Sequence, residues 1–302
     1  MLARTLYFGN PAYLSTKNEQ IVVFSKDETG ASFEKILPVE DVGILILDHY
    51  QITITQSLIS KLLESNVALI TCDDTHHPAG LMLNLEGNTL QQQKHRIQIE
   101  ASAPLKKQLW QQTVSAKIRN QANVLQLLHL ENAYQINLSE NVKSGDSGNG
   151  EAKAAVFYWK KLFGYIDGFK RERYGPPPNN LLNYGYAILR AIVARALVGS
   201  GLFPSFGIFH RNQYNAFCLA DDIMEPYRPF IEIEVFQIIR NNGASLELNP
   251  DIKKQLLSIP VRDVLINGRK TPLIIAVSRT TASLVKCLEG VNRKLLYPEM
   301  CW

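Results

Sequence analysis

Between Phe206 and Phe230 the chain reads FGIFHRNQYNAFCLADDIMEPYRPF, an apolar stretch that nevertheless holds His210, Asn215, Asp221, Asp222 and Glu225. Wound as a helix, residues 213–225 place Asn215, Cys218, Asp222 and Glu225 at i, i+3, i+7 and i+10. That polar stripe is flanked by Phe217, Ala220 and Met224 on one side and by Ala216, Leu219 and Ile223 on the other. Asp222 and Glu225, walled by apolar surface, repel each other unless a proton or cation stands between them, and a divalent metal is the economical answer. His210 follows the turn-like PSFG and reaches the stripe if the chain bends at Arg211 and Asn212. A further acid, Glu151, opens a helix in GNGEAKAAVFYW. Each of these residues also has a plain structural use: a hydrogen-bonded core histidine for His210, a carboxylate at the positive end of a helix dipole for Glu151. Asp221 is left unassigned.

The elements that must position these residues change character once along the chain. Residues 1–86 show short β-type runs, RTLYF, QIVVFS, GILILD, NVALITCD and GLMLNL, separated by Gly, Pro, Asn and Asp turn signals. Between GILILD and NVALITCD, the segment TQSLISKLLES carries Leu58, Ile59, Leu62 and Leu63 at helical spacing, a local strand, helix, strand unit. Residues 87–302 read as helical, beginning with the long PLKKQLWQQTVSAKIRNQANVLQLLHL, whose Pro104 suits a first turn. Further helices are expected around 151–164, 179–199, 213–225 and 230–240. NVKSGDSGNG (141–150) reads as a flexible loop delivering the chain to Glu151, and YGPPPNN (174–180) as a break whose Asn residues cap the next helix. The expected fold class is therefore α+β, a small β-rich N-terminal domain (1–86) before a larger, mainly α-helical domain (87–302).

Bulk properties narrow the function classes. The chain has 302 residues, 46% hydrophobic and 20% charged, enough to bury a full core. No continuous apolar run approaches the roughly 18 residues of a membrane span, and MLARTLYFGNPAY has no long apolar signal region, so a soluble, cytoplasmic protein is the expectation. Cys72, Cys218, Cys287 and Cys301 are scattered without CxxC spacing, which points away from a thiolate metal site or a disulfide framework. A net charge of +4 permits a polyanionic partner without requiring one. Basic residues cluster with aromatics in YWKKLFGYIDGFKRERYGPPP and recur at Arg190, Arg195, Arg211 and Arg228; many of them serve equally well as a solvated face. Tyr158 and Trp159 can stack on splayed bases or pack in the core.

Taken together, RTLYFGNPAYLS, GEAKAAVFYW and FGIFHRNQYNAFCLADDIMEPYRPFIE resemble the CRISPR-associated protein one family, the catalytic subunit of the spacer-acquisition integrase, and HRNQYNAF with DIMEPYRP is most similar to members from type II systems. The likeness runs through the whole chain. It implies that the family's first metal ligand falls on Glu151, ahead of Ala154 and Ala155, its histidine ligand on His210 and its third, acidic ligand on Glu225. Asp222 and Asn215 are implied as supporting residues behind the ligands. Many relatives have Gly after the first glutamate, whereas Ala152 stands here, a change too small to move a ligand.

Two carboxylates and an imidazole suit Mg²⁺ or Mn²⁺ with open positions for water and phosphate oxygens. The resemblance then implies a metal-dependent DNA integrase and endonuclease, joining the 3′-hydroxyl of a short foreign fragment to a phosphodiester at a CRISPR repeat boundary. It also implies double-stranded DNA as substrate, a homodimer formed through the β-rich domain, a heterohexamer with the small CRISPR-associated protein two, contact with the type II effector, and no membrane. Lys160, Lys161, Arg171, Arg173, Arg211 and Arg228 are the candidates for sequence-independent phosphate contacts. A plain metal-dependent nuclease and a non-catalytic DNA-binding scaffold stay open beside this reading. The tail RKLLYPEMCW is either a docking segment or a disordered end.

Overall fold

The computed structural model describes residues 4–26, 29–243 and 247–301. The chain divides into two compact units, residues 1–89 and 90–302, and its class is α+β. In the first unit, β1 (Arg4–Phe8), β5 (Val42–Leu47) and β7 (Ala68–Cys72) run parallel, and antiparallel β8 (Pro78–Met82) completes the sheet in the order β1-β5-β7-β8. Parallel neighbours need a crossover, and α1 (Gln56–Glu64), capped by the Thr55 hydroxyl, supplies it as expected. The second sheet has the order β4 (Ser32–Pro38), β3 (Gln20–Lys26), β2 (Ala12–Lys17), β6 (Ile52–Ile54).

Leu14, Ile21 and Val23 from one sheet, Leu45 and Leu69 from the other, and Leu58 and Leu62 from α1 form a common core. Each such side chain contributes about 1.5–3 kcal/mol on burial. Three strands lay outside the expected runs, β2, β4 and β6. The five residues Ser32–Ile36 of β4 are exposed, so no apolar alternation marks it; its Glu34 and Lys35 suit an edge strand.

The second unit is helical: α2 (Gln91–Glu100), α3 (Ala103–Leu127), α4 (Ala133–Glu140), α5 (Gly150–Phe163), α6 (Asn179–Gly199), α7 (Cys218–Met224), α8 (Arg228–Asn242), α9 (Pro250–Leu256) and α10 (Leu273–Leu288). The mainly helical unit also holds a hairpin outside the expected elements, β9 (Asp263–Ile266) with β10 (Arg269–Pro272), turned through Asn267 and Gly268 at φ 51° and 71°. Helix α3 is the axis of the unit. Ser102 caps it, Pro104 lies in its first turn, and its buried Leu109, Trp110, Val114, Ile118, Ala122 and Leu125 face α4, α5, α7 and α8.

Helix α6 is long and apolar enough to cross a membrane by composition, with mean hydropathy 1.4 over its best window, but 72% of that window is buried inside the unit. At Gly185 a Cβ atom would stand 2.4 Å from Ile231 Cγ2, so glycine is what lets α6 approach α8.

Two loop expectations change, and the tail takes one of its two alternatives. Residues 141–150 are an ordered connection, with Val142 and Asp146 buried and a short 3₁₀ turn at Ser144–Asp146. The Asn residues after the triple proline do not cap α6: Asn179 is buried and its amide donates to the Lys170 and Pro176 carbonyls, tying down the loop before the helix. The tail is docked, with Leu295 buried and Glu299 exchanging backbone hydrogen bonds with Leu265 of β9 at 2.7 and 3.0 Å; Trp302 lies outside the described residues. No disulfide links the four cysteines.

Candidate active site

The candidate ligands come from three elements, and two of them, Glu151 and Glu225, meet at one point. Glu151 stands in the first turn of α5, whose opening amides are held by Asp146: its Oδ1 accepts from Gly150 N at 2.7 Å and its Oδ2 from Glu151 N at 3.1 Å. A carboxylate there satisfies two amides that the helix leaves unpaired and complements the helix dipole. Glu225 begins a 3₁₀ turn, Glu225–Tyr227, between α7 and α8. That turn is pinned where Asn120 of α3 donates to the Pro226 carbonyl at 2.8 Å and where the Tyr227 hydroxyl meets Thr280 Oγ1 at 2.6 Å.

The two glutamates converge on one ammonium group. Lys117, on α3, places Nζ 2.7 Å from Glu151 Oε1 and 2.5 Å from Glu225 Oε2. Arg228 donates to the other Glu225 oxygen at 2.8 Å. Burial opposes ionisation of Glu225, yet Arg228 and Lys117 together hold its carboxyl down to about 2. Burial likewise disfavours a charged Lys117, and the two carboxylates overcome it, raising the ammonium above its ordinary value.

His210 sits in the loop before α7 and is aimed by Asp222. The fully buried Asp222 accepts from Phe209 N at 2.9 Å, from His210 N at 3.2 Å and from His210 Nδ1 at 2.5 Å. That hydrogen bond raises the His210 imidazole above its ordinary value, while burial pushes the Asp222 carboxyl up against the pull of its donors. Nδ1 is thereby fixed and Nε2 has no protein partner among the described residues. Gly207 makes this loop possible, since a Cβ there would come within 2.4 Å of the His210 carbonyl and 2.8 Å of Asp222 Oδ2. Phe209 stacks on buried Trp110 with ring centroids 4.2 Å apart, anchoring the same loop to α3.

The single helix expected over 213–225 is shorter, because α7 begins only at Cys218. Asn215 lies in the preceding turn, where its side chain caps Phe217 N and donates to Asp221 at 2.7 Å. Asp221 in turn pairs with Arg190 at 2.7 Å, so Asn215 supports Asp221 and not the ligands. Asp222 and Glu225 do not share one cation: Asp222 faces His210, and Glu225 faces Lys117 and Arg228.

The basic candidates also separate. Lys160, Arg173 and Arg211 are exposed. Lys161 pairs with Glu131 at 2.8 Å. Arg171 is held by Asn179 and Asn183. Arg228 differs from the expected surface phosphate contact: its Nε donates to Glu225, its guanidinium lies over the Tyr186 ring, and its side chain is 21% exposed. Tyr158 is fully buried.

Lys117 was missed in the sequence, although a signal existed. It falls on the same helical stripe as the buried Trp110, Val114 and Gln121, a lone charge on a core-facing surface. Among the described residues, no three His, Cys, Asp or Glu side chains stand together as a ready metal shell. The donor chemistry nevertheless fits a hard divalent ion. Glu225 Oε2 is buried without an aligned hydrogen bond, its neighbour being the Lys117 ammonium. Glu151 offers a second oxygen to the same point, and His210 offers Nε2 with its other nitrogen oriented by a carboxylate, an arrangement typical of metal-binding histidines.

Residues 6–258 match the family described as CRISPR associated protein Cas1. The CRISPR-associated endonuclease Cas1 of Neisseria meningitidis serogroup C (strain 8013) is 35% identical over 298 residues, covering 98% of this chain and 95% of the relative. In fold, the chain is similar to a casposase bound to integration product, with TM-score 0.78, 18% identity and coverage of 98% of this chain and 92% of that one. It is also similar to a Cas1 protein from Thermotoga maritima, with TM-score 0.73, 17% identity and coverage of 95% and 97%. A family match over most of the length, together with 35% identity across nearly the whole of both sequences, places the chain in the CRISPR associated protein Cas1 family.

Proposed function

We propose that this chain is a metal-dependent DNA integrase of CRISPR adaptation, joining the 3′-hydroxyl ends of short foreign duplexes to the CRISPR repeat by transesterification. The observation that carries this reading is the convergence of Glu151 and Glu225 on one cation position while Asp222 orients His210. Glu151, Glu225 and His210 Nε2 would hold Mg²⁺ or Mn²⁺, which when bound neutralises charge developing on a phosphodiester and aligns the attacking oxygen with the leaving one. The chain's own residues set up that chemistry. Asp146 fixes the first turn of α5 and with it Glu151. Arg228 holds Glu225 ionised and leaves its Oε2 for the cation. Asp222 keeps the proton on Nδ1, so that Nε2 presents a lone pair. Exposed Lys160, Arg173 and Arg211 supply phosphate contacts indifferent to sequence, as capture of foreign DNA demands. Because one ester bond forms as another breaks, no nucleotide cofactor is needed.

The relatives' names support the class of chemistry: one is an endonuclease, and one structural neighbour is a casposase bound to integration product. Another neighbour of similar fold, with TM-score 0.71, belongs to a Cas6-RT-Cas1–Cas2 complex. A Cas2 dimer flanked by two homodimers of this chain is the assembly the reading implies, with the type II effector as a further partner.

The endonuclease name favours a second reading, hydrolysis with water as the nucleophile, and one experiment separates the two. The chain and its Cas2 partner are incubated with a labelled short duplex bearing 3′-hydroxyls, a supercoiled plasmid carrying the repeat, and Mn²⁺. The expected result is joined label, reduced at least about 100-fold by His210→Ala. Nicking without joining makes the chain a nuclease; equal joining by both proteins removes His210 from the site.

A further inference from the structure

The contact that sequence reading overlooked is also the one the proposed chemistry leaves unexplained. Lys117 is nearly buried, its side chain 12% exposed, on the helix that forms the axis of the unit. Its Nζ lies within bonding distance of one oxygen of Glu151 and one of Glu225, so it occupies the point from which a single ion reaches both. The second Glu225 oxygen is already satisfied by Arg228 at 2.8 Å, which leaves Oε2 as the oxygen open to a cation. An ammonium and a divalent ion cannot share that point: both need the same lone pairs, and two cations in contact at low dielectric repel strongly. A buried Glu225 facing a partly buried Glu151 with no cation between them is also unfavourable.

We infer that Lys117 is the resident cation of this site, a tethered ammonium that holds Glu151 and Glu225 together before a divalent ion binds and is displaced by that ion. The inference rests on Glu151 and Glu225 being metal ligands. It makes Lys117 a positioning residue that opposes metal binding. A lysine that merely braced the two ligands would favour metal binding instead.

Wild type, Lys117→Met, Lys117→Gln and Glu225→Gln are compared by thermal melting in chelator and by calorimetric titration with Mn²⁺ alone. Lys117→Met is expected to melt lower than wild type in chelator, to gain more melting temperature from Mn²⁺, and to bind Mn²⁺ at least about tenfold more tightly, with Lys117→Gln following it. Affinity unchanged or weakened in both lysine variants overturns the inference. Should Lys117→Met fail to fold in chelator, Mn²⁺ is expected to restore it, and no restoration at concentrations that saturate the wild type overturns the inference as well. Glu225→Gln distinguishes the two levels of failure. If it binds Mn²⁺ as the wild type does, the ligand assignment itself has failed; if it loses binding while the lysine variants bind no more tightly, only the role of Lys117 has failed.

Discussion

Glu232 illustrates how a residue behind the site takes its protonation from burial. It lies inside α8, accepts from the Tyr186 hydroxyl at 2.6 Å, and its Oε2 and the nearby Tyr158 hydroxyl have no aligned hydrogen-bond partner. Burial raises its carboxyl above the ordinary 4.5, while the Tyr186 hydrogen bond, Lys117 and Arg228 pull the other way without prevailing. A carboxyl that holds its proton more tightly folded than unfolded favours folding below the unfolded value, and this contribution is lost as pH rises through the folded one. Glu232→Gln removes the titration and keeps an acceptor for Tyr186. Denaturant melts at pH 4.5, 6 and 8 should therefore show the stability of wild type relative to this variant falling as pH rises. A difference that stays constant with pH would mean that Glu232 is ionised at the same pH folded and unfolded.

At the scale of elements, the site depends on how α5 begins. The Asp146 carboxylate satisfies two opening amides of that helix, and Glu151 is the second residue they serve. Asp146→Ala is expected to cost about 1 kcal/mol in folding stability and to lower strand joining by loosening Glu151, whereas Asp146→Asn keeps much of the cap. Chemical denaturation alongside the joining assay tests this; a variant of unchanged stability would show that the cap is not energetically used. The signal was present in the sequence, an Asp four residues before Gly150 in a segment rich in Ser, Gly and Asn. Those same residues also describe an open loop, so the local pattern does not separate the two. The Asn267-Gly268 turn was legible in the same way, whereas β4 was not, because its exposed side chains carry no apolar period.

For the whole molecule, DNA capture should be electrostatic and insensitive to sequence. Affinity for arbitrary duplex DNA is expected to fall with salt, with a logarithmic slope of about 0.9 per neutralised phosphate. Replacing Lys160, Arg173 and Arg211 together by Ala should reduce that slope by nearly three, as measured by fluorescence anisotropy across a salt series. An unchanged slope would remove these residues from the interface. Arg228 belongs to a different class despite its identical charge. Its pairing with Glu225 means that substitution acts on the site and on stability before it acts on DNA affinity.

By itself, the sequence determined the order of a β-rich and a helical unit, the α1 crossover, the bounds of α5 and α6 to within a residue or two, and the residue types of the candidate site. These are legible because hydrophobic period, turn residues and short motifs act over a few residues. The tertiary structure alone decided which charges meet. Lys117 reaches Glu151 across 34 positions, and the same ammonium meets Glu225 in yet another element. Arg228 turns inward while Arg211 remains exposed, and Asp222 serves His210 while Asp221 serves Arg190 and Asn215. Such pairings follow from the packing of α3 against α5 and against the turn before α8, where low dielectric makes each buried charge seek its partner.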